Sequence, residues 1–87
     1  MIVLDDASND GSVDLIKKLL AESEIQSTLV VNERNSGSVF KQWGKGVEMA
    51  QGDLVWICEA DDFSDPDFLE KCTEKMGDED VVVSYTQ

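Results

Sequence analysis

Residues 54 to 66 read Leu54-Val-Trp-Ile-Cys-Glu-Ala-Asp-Asp-Phe-Ser-Asp-Pro66, and no other stretch narrows the fold as far. Five apolar residues, Leu54 to Cys58, stop at the acids Glu59, Asp61 and Asp62. A short apolar run bounded by polar residues predicts a buried strand of a parallel sheet. Asp65-Pro66 then predicts a helix start, with Asp65 as N-cap and Pro66 at the first helical position. The acids would lie at the carboxyl end of a central strand, the edge of an open α/β sheet where ligands bind. Clustered carboxylates repel one another unless a cation or another positive group neutralises them. Glu59, Asp61 and Asp62 are therefore candidates for holding a hard metal ion; the plain alternative is a solvated acidic surface.

The rest of the chain alternates in the same way. Met1 to Leu4 predicts a strand that breaks into the polar loop Asp5-Asp6-Ala-Ser-Asn-Asp-Gly-Ser12. From Val13 to Leu20, apolar residues at 13, 15, 16, 19 and 20 predict an amphipathic helix, capped by Asp10 or Ser12. Thr28 to Val31 predicts a second strand, and Asn32 to Ser38 a polar loop. Phe40, Trp43, Val47 and Ala50 fall at near-helical spacing and predict a helix, with Phe40 and Trp43 expected in the core, although Gly44 and Gly46 weaken that helix. A further helix over 66–76 would bury Phe68, Leu69, Cys72 and Met76, with Gly77 just past its end. Val81 to Tyr85 predicts a last strand. The order βα-βα-βα-β predicts an α/β fold, a mostly parallel sheet flanked by helices.

Eighty-seven residues suffice for a single small core. Seven basic residues against nineteen acidic ones give a net charge of −12, with no histidine. That balance argues against nucleic acid or an anionic membrane as the partner. No apolar run reaches membrane-spanning length and no signal-peptide pattern opens the chain, so a cytoplasmic location is expected. Cys58 and Cys72 lack the spacing of a zinc site, and both are expected to be buried, reduced thiols.

Two further motifs bear on function. Asp5-Asp6, at a strand end, could accept hydrogen bonds from a nucleobase N–H or hold a metal; equally, Asp, Ser and Asn favour turns and caps. In Asn35-Ser-Gly37-Ser-Val-Phe-Lys41-Gln-Trp43, Gly37 permits either a turn with positive φ or close approach of backbone to a ligand. Lys41 could meet a phosphate, or stand solvated over a core helix.

Taken together, Ile2-Val-Leu-Asp-Asp-Ala-Ser-Asn-Asp-Gly-Ser12, Asn35-Ser-Gly37, Gly46-Val-Glu-Met-Ala-Gln-Gly-Asp-Leu-Val-Trp-Ile-Cys-Glu-Ala-Asp-Asp62 and Pro66 resemble the nucleotide-sugar-binding half of family 2 glycosyltransferases. The resemblance covers nearly the whole chain and implies a partial GT-A, Rossmann-like domain. It implies that Asp6 contacts the base of a nucleotide diphosphate sugar, a UDP-sugar most of all, and that Asp5 supports the loop. Glu59-Ala-Asp61 with Asp62 looks like a variant of the family's D-x-D motif. Asp61 would lie against ribose or metal, and Asp62 would help hold the Mn²⁺ or Mg²⁺ that bridges the diphosphate. Gly37 and Lys41 would complete the donor-binding set, Lys41 by the loosest match. Two departures stand out: Glu59 replaces the commoner aspartate, and the family's usual Arg-Asn pair aligns with Trp43-Gly44.

The resemblance also implies a strand and helix ahead of Met1 and an acceptor-binding half, with the catalytic base, beyond Gln87. Residues 1–87 are thus expected to be one partial domain, inactive alone, from a parent that transfers sugar with inversion to a carbohydrate or lipid-linked acceptor and that could sit at the cytoplasmic face of a membrane. Met1 is expected to be an imposed boundary rather than a natural start. With a central strand missing, the first strand is expected to pair directly with the Leu54 strand or to drive self-association through its open edge. The competing reading is a receiver-like signalling domain, in which an aspartate at a strand end accepts phosphate.

Overall fold

The computed structural model describes residues 1–85. Its elements run β1 (Ile2–Asp5), α1 (Ser12–Glu22), β2 (Thr28–Val31), α2 (Val39–Met49) and α3 (Phe68–Lys75). The chain divides into two compact units, residues 1–57 and residues 58–87.

In the first unit β1 and β2 pair in parallel, with Ile2 opposite Thr28 and Asp5 opposite Val31. Parallel neighbours need a crossover between them, and α1 supplies it. The helix begins after Gly11, whose φ of 86° lies in the left-handed region. Asp10 accepts a hydrogen bond from the Ser12 N–H at 3.1 Å, satisfying a donor that the first turn leaves without a partner. The N-cap is Gly11, not Asp10 or Ser12 as expected, and no side chain of the cap residue bonds the first turn. Val13, Ile16 and Leu20 are half-buried, while Leu15 and Leu19 remain exposed.

Helix α2 forms despite Gly44 and Gly46. Gly46 has a packing reason for being there: a Cβ at that position would lie 3.2 Å from Leu4 Cδ1 of β1. The missing side chain lets the helix approach the strand closely. The expectation that Phe40 and Trp43 lie in the core is corrected. Phe40 is 71% exposed, and Trp43 is half-buried with its ring edge-on to Phe40 at 5.3 Å between centroids. The rings cover each other rather than entering a core.

Two expected strands do not form. Leu54 to Ile57 is irregular, with its side chains 42–50% exposed. Val81 to Tyr85 is irregular as well, and Val82, Val83 and Tyr85 face solvent. Hydrophobicity favours burying such runs, but a strand also needs a neighbour to take its N–H and C=O groups. Among the described residues the sheet consists of β1 and β2 alone. Direct pairing of β1 with the Leu54 run is therefore not seen. The βα-βα beginning holds, the third and fourth strands do not, and the α/β class with a parallel sheet stands.

In the second unit α3 starts two residues later than Asp65-Pro66 suggests. The Asp65 carbonyl accepts from the Phe68 N–H at 3.0 Å and closes a turn. Asp67 is the N-cap, and its carboxylate pairs with Lys71 one turn on, at 2.6 Å. Lys71 holds the Asp67 carboxyl below its ordinary range by that hydrogen bond. Cys72 is buried, 8% exposed, whereas Cys58 is exposed, contrary to expectation, because the run it ends is not a core strand. Gly77 sits one residue past the C-cap Met76, in the C′ position anticipated for it.

Candidate functional site

Polar residues gather where β1 and β2 end. The register places Asp5 beside Val31, so the next residues, Asp6 and Asn32, emerge side by side. Asp5 is 6% exposed; its Oδ1 accepts from the Ser8 N–H at 2.9 Å, tying down the loop after β1. Ala7 bends that loop with a φ of 63°.

Asp6 turns the other way, to the loop after β2. Its Oδ1 accepts from Asn32 Nδ2 at 2.6 Å and from the Ser36 N–H at 2.8 Å. Its Oδ2 accepts from Ser36 Oγ at 2.7 Å, and its backbone carbonyl from Asn35 Nδ2 at 3.0 Å. These donors favour the ionised carboxylate. The Ser36 hydroxyl contributes most to holding Asp6 below the ordinary carboxylate range, with Asn32, the Ser36 N–H and the Lys45 charge adding to it.

Gly37 follows with φ of 70°, and its N–H donates to Asn35 Oδ1 at 2.8 Å. The turn, one of the two expected uses of this glycine, is what the geometry shows. Lys41 Nζ donates to the Ser36 carbonyl at 3.3 Å, and the side chain is exposed. The first unit thus brings Asp5 at the end of β1, Asp6 and Gly37 in the two loops, and Lys41 in the first turn of α2 to the same end of the sheet.

Asn32, Gln42 and Lys45 complete this polar cluster, and the motif reading did not single them out. Lys45 Nζ donates to Asn32 Oδ1 at 2.7 Å, and Asn32 Nδ2 donates to Gln42 Oε1 at 2.8 Å. Two signals in the sequence point to them. Asn32 follows its strand as Asp6 follows its own, and Gln42 and Lys45 are three apart on α2, hence on one face.

In the second unit the acids form a local turn. The Asp62 N–H donates to the Glu59 carbonyl at 3.1 Å, and Asp62 Oδ2 accepts from the Glu59 N–H at 2.9 Å. One carboxylate oxygen from each of Glu59, Asp61 and Asp62 lies within 4.8 Å of the others, and all three residues are exposed. A hard divalent cation binds oxygens at roughly 2.0–2.6 Å, so two ligands of one ion are up to about 5 Å apart. The three oxygens fit that span, and their chemistry suits Mg²⁺ or Mn²⁺.

A parallel strand pair bridged by a helix, with its polar side chains at the carboxyl ends of the strands, is the framework of a partial GT-A, Rossmann-like α/β domain. The chain belongs to glycosyl transferase family 2, whose model matches residues 1–87. It is 35% identical over 86 residues to the Bacillus subtilis protein named "Putative teichuronic acid biosynthesis glycosyltransferase TuaG", covering 99% of this chain and 33% of that protein. It is 36% identical over 85 residues to the "Uncharacterized glycosyltransferase YwdF" of the same organism, covering 97% of this chain and 30% of that protein. An "Uncharacterized glycosyltransferase" of Haemophilus influenzae is 29% identical over 85 residues, covering 98% of this chain and 33% of that protein. The chain thus spans about a third of the length of these relatives. No solved structure matches it. The comparisons fall on the glycosyltransferase reading and give the receiver-like alternative no support.

Proposed function

We propose that residues 1–87 are the donor-binding portion of a metal-dependent glycosyltransferase, which uses a nucleotide diphosphate sugar and is inactive without the remainder of its parent. The family match and the coverage of one third of each relative support this reading. The observation that carries it is the acidic turn, whose three carboxylate oxygens fit one divalent ion.

Asp6 takes the nucleobase, a uracil above all. A carboxylate has about four acceptor positions, and three are already used by Asn32 and Ser36, which leaves one on Oδ2 for an N–H of the base. Asp5 and Gly37 shape the loops, and Lys41, at their rim, offers a cation to the diphosphate. Glu59, Asp61 and Asp62 hold the Mn²⁺ or Mg²⁺, Asp62 through the oxygen not engaged by the Glu59 N–H. When bound, the ion acts as a Lewis acid for the diphosphate, which gains negative charge as the sugar leaves. The acceptor, a carbohydrate or lipid-linked glycan, and the base that deprotonates it are assigned to no residue of this chain.

Paramagnetic Mn²⁺ tests the metal assignment. At micromolar Mn²⁺ the amide signals of residues 58–63 are expected to broaden first, and Asp61→Asn with Asp62→Asn should abolish that preference. Broadening spread evenly over the other acidic stretches would mean a diffuse ion atmosphere and would sink the assignment.

A further inference from the structure

Resting on the donor reading above, we infer that Asn32, held by Lys45 and Gln42 of α2, is the positioning residue for Asp6, and that α2 thereby sets how tightly the Asp6 loop takes a nucleobase. The chemistry of each partner fixes the orientation of the Asn32 amide. A lysine ammonium can only donate, so the atom facing Lys45 Nζ at 2.7 Å must be the oxygen. The amide nitrogen then has two hydrogens, one for Asp6 Oδ1 at 2.6 Å and one for Gln42 Oε1 at 2.8 Å. An ionised carboxylate can only accept, so both ends of the relay agree. With its oxygen against Lys45 and its hydrogens spent, Asn32 cannot flip without facing oxygen against oxygen.

The consequence is felt at Asp6. Asn32 and the Ser36 N–H share Oδ1, and Ser36 Oγ takes one position on Oδ2. Donors reach both carboxylate oxygens, all of them from the loop after β2, and set the carboxylate plane. Its remaining acceptor position therefore has a defined direction, and a ligand N–H meets it without reorganising the side chain. If Lys45 is removed, the Asn32 amide loses the contact that fixes its orientation and Asp6 loses a donor for part of the time.

The experiment is NMR on the whole 87-residue chain, comparing wild type with Lys45→Met, Lys45→Arg and Lys18→Met. Lys18, exposed on α1, controls for the loss of one positive charge. The expected result for Lys45→Met is a change in the Asn32 side-chain amide and Ser36 N–H signals, with UDP binding weakened about five- to tenfold, as for one lost ordinary hydrogen bond. Lys45→Arg, which still offers donors to Asn32 Oδ1, should restore the signals and most of the affinity, and Lys18→Met should change neither. Unaltered Asn32 and Ser36 signals in Lys45→Met overturn the relay. Equal weakening by Lys18→Met shows a general charge effect and overturns it too. A wild-type chain that takes no UDP overturns the donor reading and the affinity claim with it, while the Asn32 signals still decide whether Lys45 orients the amide.

Discussion

Asp6 carries more of the local architecture than a ligand contact alone would require. Its carboxylate joins the loop after β1 to the loop after β2, and the Ser36 hydroxyl foremost holds its pKa below the ordinary value. A carboxyl with a lowered folded pKa contributes stability that is fully present above the unfolded pKa and lost as pH falls through the folded one. Wild type should therefore be more stable than Asp6→Asn at neutral pH, with the difference shrinking from about pH 5 downward. Urea titrations at several pH values check this. Asp10 and Asp67 also have lowered pKa values, from Ser12 and Lys71 respectively, but both are present in each protein and cancel. Gly37 matters for a different reason. At φ of 70° a Cβ is strained whatever the surrounding space, so Gly37→Ala should destabilise the turn by about 1–2 kcal/mol. Denaturant midpoints measure it.

At the scale of elements, the sequence was most informative where local signals suffice. Periodicity located α1 and α2, and apolar runs located β1 and β2, because each of these finds its partner among nearby residues of the first unit. The runs at 54–58 and 81–85 carry the same signal, yet no strand forms there. A parallel strand depends on distant neighbours, and composition does not show whether those neighbours are present. The site divides in a similar way. Asp5, Asp6, Gly37 and the acidic trio could be named as candidates from residue type and position, whereas Asn32, Gln42 and Lys45 acquire meaning only through the register and the helix face. The two glycines of α2 offer an element-scale test. A Cβ at Gly44 meets nothing within 4 Å, so Gly44→Ala should stabilise the helix by about 0.5–1 kcal/mol. Gly46→Ala should gain less or lose stability, because Leu4 Cδ1 must move to admit the methyl. Equal gains at the two positions would contradict the close approach of α2 to β1.

For the molecule as a whole, the described residues include one buried apolar side chain, Cys72, and one buried acid, Asp5. So small a core leaves little hydrophobic stabilisation to set against chain entropy. No helix among the described residues is long and apolar enough to cross a membrane. Within these limits the chain keeps a polar loop pair in one unit and an acidic turn in the other. The measurement that bears most directly on the donor assignment is an NMR titration with UDP, with and without Mg²⁺. UDP should shift the amides of Asp6, Ser36 and Gly37, and the shifts at Glu59, Asp61 and Asp62 should require the metal. Unmoved amides in both segments at millimolar UDP and Mg²⁺ would contradict donor binding by this chain.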